Sequence, residues 1–333
     1  MPPRLARLLA ALAAIALVAG AFVVRGALAG DDGGDDRAGT GDRRHGAPGD
    51  GDGAPVRLVC DEDVGEEACA ALADAAGAEV EVLPAGEVIE RAVAADADWD
   101  AWLTLDGVPG VLDVALDEED LPLLVQGDPV PVASSPLALL ALPDQPCEGD
   151  TVAWTCLADP AQATRNGVAV PSADTALGIL ARAAGATGLA GGPDLDRSFL
   201  DTSEADLLRD LLGDSPREAG TTTAAQTASL FSPGVSSAAV TIEGLARVQA
   251  RKIRGQERGL RVLPVEPTVA VGVVLVGLSE RGDGAVAALQ EVASGQTVQE
   301  ALDEAGWTGE AGPTTGLPDN PGLIYALREE LGR

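Results

Sequence analysis

The chain of 333 residues carries 53 acidic against 22 basic side chains, a formal net charge of −31, and is 46% hydrophobic but only 2% aromatic. So acidic a surface makes nucleic acid a poor partner, because that binding depends on neutralising phosphates with basic groups. His45 is the single histidine, which nearly excludes histidine acid–base pairs, serine triads and most zinc sites.

At the N-terminus Arg4 and Arg7 precede an apolar run from Leu8 to Val24, and Ala27 and Ala29 form an A-x-A pattern. Residues 1–29 therefore read either as a cleaved signal peptide or as a membrane anchor. Both readings place the remainder outside the cytoplasm, secreted or tethered to the cell membrane. No cysteine lies near the cleavage region, which argues against a lipoprotein anchor. Residues 30–55 are rich in Gly and Asp and read as a disordered acidic spacer.

From Pro55 onward short apolar runs alternate with helical patterns. "VRLVC" (56–60), "EVEVL" (79–83) and "WDAWLTL" (99–105) read as strands, and "GEEACAALADAAG" (65–77), "AGEVIERAVAA" and "VPGVLDVAL" as helices. "DPVPVASSPLALLALP" (128–143) is a long apolar stretch broken by Ser134, Ser135 and Pro136. "GVAVPSADTALG" (167–178) reads as a strand, a proline and a helix start. There Ser172, Asp174 and Thr175 offer oxygens either for capping or for a ligand at the helix N-terminus. "SEADLLRDLLG" is amphipathic, and "AAVTIEGLARVQARKI" (238–253) reads as strand, turn and helix. "LRVLPVEPTVAVGVVLVGL" (260–278) is a second long apolar stretch, and two further helical patterns close the chain. Strands alternating with helices predict a largely parallel sheet with helices on both faces. The two long apolar stretches predict a chain that crosses twice between two lobes.

The cysteines fall into two neighbouring pairs with matching short intervals. In an exported chain this favours the disulfides Cys60–Cys69 and Cys147–Cys156 over a thiolate metal site, which would want close C-x-x-C pairs. No metal and no cofactor is expected. Neither G-x-S-x-G nor a Walker loop is present, so an enzyme is not expected either. Trp99, Trp102, Trp154 and Trp307 are either sugar-stacking platforms or, the favoured reading, anchors of a core short of aromatics. "RGD" at 281–283 reads as a chance match in a turn.

The ordered series "DAWLTLDGVPGVLDVA", "PVPVASSPLALLALP", "GVAVPSADTALGILARAAG", "AAVTIEGLARVQ", "LRVLPVEPTVAVGVVLVGL" and "LPDNPGLIYALREEL" resembles extracellular solute-binding proteins with the type II periplasmic-binding-protein fold. It is most similar to an actinobacterial branch whose members can carry a von Willebrand factor A domain, expected to be absent here. The resemblance covers residues 56–333. It implies an α/β protein of two lobes, 56–131 with 268–333 and 132–267, each a mostly parallel sheet flanked by helices. It also implies crossover segments near Val132–Ala141 and Pro264–Val276. The implied role is capture of a small ligand between the lobes for an ABC transporter permease; the alternative is a surface-tethered interaction module with no transport role. Positions matching ligand-contacting loops are Asp61, Glu62, Asp106, Ser134, Ser135, Ser172, Asp174, Thr175, Thr241 and Glu243, in keeping with ligand binding at the carboxyl ends of strands. "CDEDVGEE" departs from oxyanion-binding relatives: an anion would meet Asp61, Glu62 and Asp63 with no lysine or arginine near. A cation, a neutral sugar or peptide, or no small ligand at all remain open.

Overall fold

The computed structural model describes residues 54–143, 147, 149–159, 167–213, 236–252 and 259–331. The expected signal or anchor segment and all but the last two residues of the expected spacer lie outside them. Among the described residues no helix is long and apolar enough to cross a membrane.

The first third follows the alternation read from the sequence: β1 (Arg57–Asp61), α1 (Glu66–Ala76), β2 (Glu79–Leu83), α2 (Ala85–Val93), β3 (Ala101–Leu105) and α3 (Val108–Glu118). β3 is buried along its whole length, as a central strand must be, whereas β2 lies at the sheet edge with Glu79 exposed. Helix α1 stops at Gly77, whose φ of 64° a side chain would disfavour. Pro109 sits in the first turn of α3, where a missing N–H costs nothing.

The broken stretch expected around Ser134–Pro136 is instead one strand, β4 (Gln126–Ala141). Its first part runs antiparallel to β9 (Ala270–Gly277), from Gln126 opposite Gly277 to Pro136 opposite Ala270, with two register shifts. From Leu137 onward it changes partners, lying antiparallel to β7 (Ala238–Ile242) and to β8 (Arg261–Glu266). Pro131 falls at a register shift and Pro136 beside the partner change, so neither proline interrupts a regular ladder.

The sheet order is β2-β1-β3-β9-β4-β7-β6, with β6 (Val168–Ala169) at one end and β8 also paired to β5 (Val152–Ala153). It is a mixed sheet flanked by helices, not a mostly parallel one. Parallel pairing is confined to β1–β2, β1–β3, β6–β7 and β5–β8. The difference has a simple cause: the chain leaves along β4 and returns along β9, so the two strands run in opposite senses.

Helix α4 (Trp154–Leu157) precedes α5 (Ala176–Ala190), which is buried around nearly its whole circumference and is built mainly from Ala, Gly and Leu. A Cβ at Gly188 would overlap the Trp154 indole, so the small residues of α5 let this ring pack directly on the helix. Helices α6 (Ser203–Gly213), α7 (Glu243–Lys252), α8 (Gly282–Ala293), α9 (Gln296–Ala305) and α10 (Pro321–Leu331) complete the cover.

All four tryptophans are buried anchors. Trp99 donates to Glu81 at 2.9 Å and lies beneath the Arg91 guanidinium, and Trp307 donates to the Val64 carbonyl at 3.0 Å. Both expected disulfides are formed, with Cα separations of 5.9 Å and 6.0 Å. The "RGD" triplet is the start of α8: Arg281 pairs with Asp100 at 2.9 Å and Gly282 is buried.

Candidate functional site

The loop after β1 lies where some of the expected site residues meet, Asp61 and Glu62 with Ser172, Asp174 and Thr175. Asp61 ends β1 and is fully buried; its carboxylate accepts the Thr104 hydroxyl at 3.0 Å and the Asp63 amide at 3.3 Å. Burial, and then the neighbouring Asp63 charge, push the Asp61 carboxyl well above the ordinary range. The same two causes raise half-buried Glu62 to about 7, and its Oε1 is buried without a hydrogen-bond partner.

Asp63 reaches furthest. Its Oδ2 accepts the backbone N–H of Leu177 at 2.7 Å, at the N-terminus of α5. The orphan donors and positive dipole end of a helix favour a carboxylate there. Beside it the Gly86 N–H donates to the Asp174 carbonyl at 2.7 Å. A Cβ on Gly86 would stand 3.0 Å from the Asp174 Cα, so the two backbones are in direct contact.

In "PSADTALG", Thr175 is the N-cap of α5. It is fully buried, and its hydroxyl oxygen accepts the Gly178 N–H at 3.0 Å while donating to the Ser172 carbonyl at 3.1 Å. Ser172 Oγ donates to the Asp174 carboxylate at 3.2 Å and accepts the Asp174 N–H at 3.3 Å. Behind the loop, buried Arg182 donates to the carbonyls of Pro171 at 2.8 Å and Gly178 at 2.9 Å. Burial lowers it to about 10, opposed by the charge of Asp174. Arg182 was not anticipated, although one arginine inside an alanine-rich apolar helix is visible in the sequence.

A second group forms around β4. Ser134 exchanges backbone hydrogen bonds with Gly309, and its hydroxyl donates to the Glu310 carbonyl at 2.8 Å. Ser135 is fully buried and accepts the Gly244 N–H at 3.2 Å, at the start of α7. Gly244 lies so close to Gly306 that a Cβ would overlap the Gly306 carbonyl. Asp106 lies apart: its carboxylate accepts the Thr314 N–H at 2.6 Å and its own N–H donates to the Gly272 carbonyl. Thr241 is fully buried with its hydroxyl unpartnered, and Glu243 pairs with Arg247 along α7. Asp61, Glu62, Ser172, Asp174 and Thr175 thus belong to one neighbourhood, Ser134 and Ser135 to another, and most of their polar atoms are bonded within the protein.

A cavity of about 410 Å³ opens between α1, α7 and α9, lined by Glu67, Asp303, Glu304, Arg251 and small apolar residues. None of the expected residues line it. Among the described residues no group of three or more His, Cys, Asp or Glu is placed to hold a metal ion.

Two expected results follow from this geometry. Thr175→Ala should cost about 1–2 kcal/mol in denaturant unfolding, because it removes an N-cap; an unchanged midpoint would contradict the capping role. The second concerns pH. A carboxyl held above its unfolded pKa binds its proton more tightly in the folded chain, so stability is lost as pH rises from the unfolded value towards about 7 for Glu62. Between about pH 5 and pH 8 the loss should be about 2 kcal/mol after allowance for screening, with Asp61 acting in the same sense. Glu62→Gln should flatten that slope in denaturant titrations, and an equally steep slope in the variant would refute it.

No family model matches the chain, and no curated protein matches it in sequence. Solved structures do. The periplasmic binding protein AfuA from Actinobacillus pleuropneumoniae, with exogenous fructose-6-phosphate bound, is 13% identical with a TM-score of 0.54, covering 84% of this chain and 96% of its own. Apo FutA2 from Synechocystis PCC6803 is 18% identical with a TM-score of 0.52, covering 84% and 96%. The apo ferric ion-binding protein A of Pasteurella haemolytica is 11% identical with a TM-score of 0.53, covering 83% and 95%. The chain therefore has the α/β fold of the type II periplasmic-binding proteins. At these identities the likeness is one of fold.

Proposed function

We propose that the chain is an extracytoplasmic solute-binding protein that holds a small ligand between two lobes and hands it to an ABC transporter permease. The lobes are residues 56–131 with 268–333, and residues 132–267. The supporting observation is the path of the chain: β4 runs from pairing with β9 into pairing with β7 and β8, and β8 and β9 carry it back. The loops after β1 and β2 meet the N-terminus of α5 across that divide. AfuA with its sugar phosphate and the ferric ion-binding protein lend the same fold to solute capture. The acidic run Asp61–Asp63 favours a neutral or cationic solute over an oxyanion. The role is binding without catalysis, and the cell-membrane attachment and the kinship with the branch associated with von Willebrand factor A domains belong to the same proposal.

The test is a thermal-shift screen of the fragment from Ala54 onward against amino acids, sugars, polyamines and metal ions. A ligand present at a hundred times its dissociation constant adds about 2.7 kcal/mol of stability, which a melting curve reads directly. Stabilisation by one of these classes is expected. A second reading, a tethered interaction module that keeps the fold without transport, is favoured by one observation: Asp63 and Asp174 join the two sides by direct hydrogen bonds. A folded protein stabilised by none of the classes would move the assignment to that reading.

A further inference from the structure

We propose that the cavity between α1, α7 and α9 binds a basic α-amino acid, its carboxylate on Arg251 and its cationic groups on Glu67, Asp303 and Glu304. The role of that molecule as captured solute rests on the function proposed above; the geometry of the cavity does not. The space measures about 410 Å³, within the roughly 300–1,000 Å³ of small-molecule sites. α1 and α9 belong to one proposed lobe and α7 to the other, so the cavity lies where the two meet. Close backbone contacts fix its walls. A Cβ at Gly244, in the first turn of α7, would overlap the Gly306 carbonyl just past α9. One at Gly65, which precedes α1, would stand 3.0 Å from the Ala305 Cβ. Gly244, Val248 and Arg251 follow one another at i, i+4 and i+7, a single stripe of α7. That stripe starts at the glycine contact and continues into the cavity wall at Val248 and Arg251.

The charges on these walls are unmatched. Among the described residues Arg251 makes no ion pair, and neither do Glu67, Asp303 or Glu304, although all four line one cavity. Asp303 and Glu304 stand in the last turn of α9, which holds no basic residue, so the negative end of the helix dipole adds to their charge. Ligands of one sign fit such walls poorly. An oxyanion drawn to Arg251 would meet three carboxylates, and a polyamine drawn to those carboxylates would meet the guanidinium. Nor, among the described residues, are the acidic groups placed to close on a metal ion. A molecule carrying both signs answers every wall. Its carboxylate takes the planar guanidinium through two N–H donors, and its ammonium takes the carboxylates. Three acids against one base leave an excess of negative charge, which a second cationic group, as in lysine or arginine, offsets. Half-buried Val248 and Ala301 give the intervening methylenes an apolar surface.

The full chain, refolded from denaturant without reductant to strip any carried solute, should be titrated calorimetrically with L-lysine and L-arginine. Cadaverine, which is lysine without its carboxylate, and aminocaproate, which is lysine without its α-ammonium, probe the two halves of the site. At least one of the amino acids should bind, and both truncated probes should bind roughly tenfold or more weakly than lysine, in line with losing a hydrogen bond to a charged group. Arg251→Ala should weaken the amino acid by a similar factor without weakening cadaverine, whereas Glu67→Gln and Asp303→Asn should weaken both. All three positions are exposed, so the variants should melt with the parent, and lost affinity then reads the site rather than the fold. Cadaverine binding as tightly as lysine overturns the inference, as does an affinity for lysine and arginine that ignores all three variants. Failure of both amino acids to bind, while the wider screen finds another solute, also overturns it and leaves solute capture standing. If no class of solute binds, both readings fall.

Discussion

Gly178→Ala should lower the stability of the fold by about 3 kcal/mol, at the upper end of what overpacking costs in a close-packed interior. A Cβ at this position would overlap the Ser172 carbonyl oxygen, with the Pro171 carbonyl 2.8 Å away. Both neighbours are backbone, and neither can rotate aside. Moving them would also loosen the Thr175 bond to Ser172 and the Arg182 bond to Pro171, leaving a buried guanidinium short of an acceptor. Asp174 lies in the same short loop, so its contact with Gly86 would be disturbed too. For a domain of this size the change amounts to a fall in melting temperature of roughly 5 °C. Gly192→Ala supplies the comparison, because a Cβ there meets open space; it should stay within about 0.5 kcal/mol of the parent. Equal melting temperatures for the two variants would mean that the loop does not rest on the helix.

Gly244→Ala is expected to cost about 2–3 kcal/mol for the same kind of reason at a different contact. Its Cβ would overlap the carbonyl of Gly306, and Gly306 cannot easily yield, since its φ of 99° already serves to end α9. The Gly244 N–H is the donor to buried Ser135, so a shift of α7 also unpairs that hydroxyl. Chemical denaturation with an unchanged slope and a lowered midpoint is the expected signature. A midpoint equal to that of the parent would show that α7 can slide away from Gly306 at no cost.

Local patterns carried most of the secondary structure. The alternation in "EVEVL" marks β2 residue for residue, and glycine marks the ends of α1 and α9. The disulfides followed from spacing and compartment, because nearby cysteines need little of the remaining fold to meet. Pairing over long distance was not legible. Nothing around Ser134–Pro136 reveals that a serine-proline interruption survives inside one strand, since the partners that carry it, β9 and β7, lie far along the chain. The expected parallel sheet failed for the same reason: alternation reports that strands exist, not the sense in which they pair.

Of the candidate site, the sequence pointed to the loops but not to their partners. Thr175 stood open between cap and ligand contact, and the geometry shows it capping α5. Asp63 was read only as part of an acidic run, although it bonds to a residue 114 positions further along the chain. Its partner is a backbone N–H, which carries no signature in a sequence. Gly178 and Gly244 were equally silent, because a close approach of two backbones leaves no trace beyond a glycine among many.

The place of β9 between β3 and β4 has a consequence for how the chain is made. Until residues 270–277 have emerged, β3 keeps one edge without the partner it has in the finished sheet, so the first strands cannot complete their ladder during synthesis. Contacts spanning so much of the chain form late and slowly. In the export proposed above, that delay would keep the early segments threadable until residues 270–277 had been delivered.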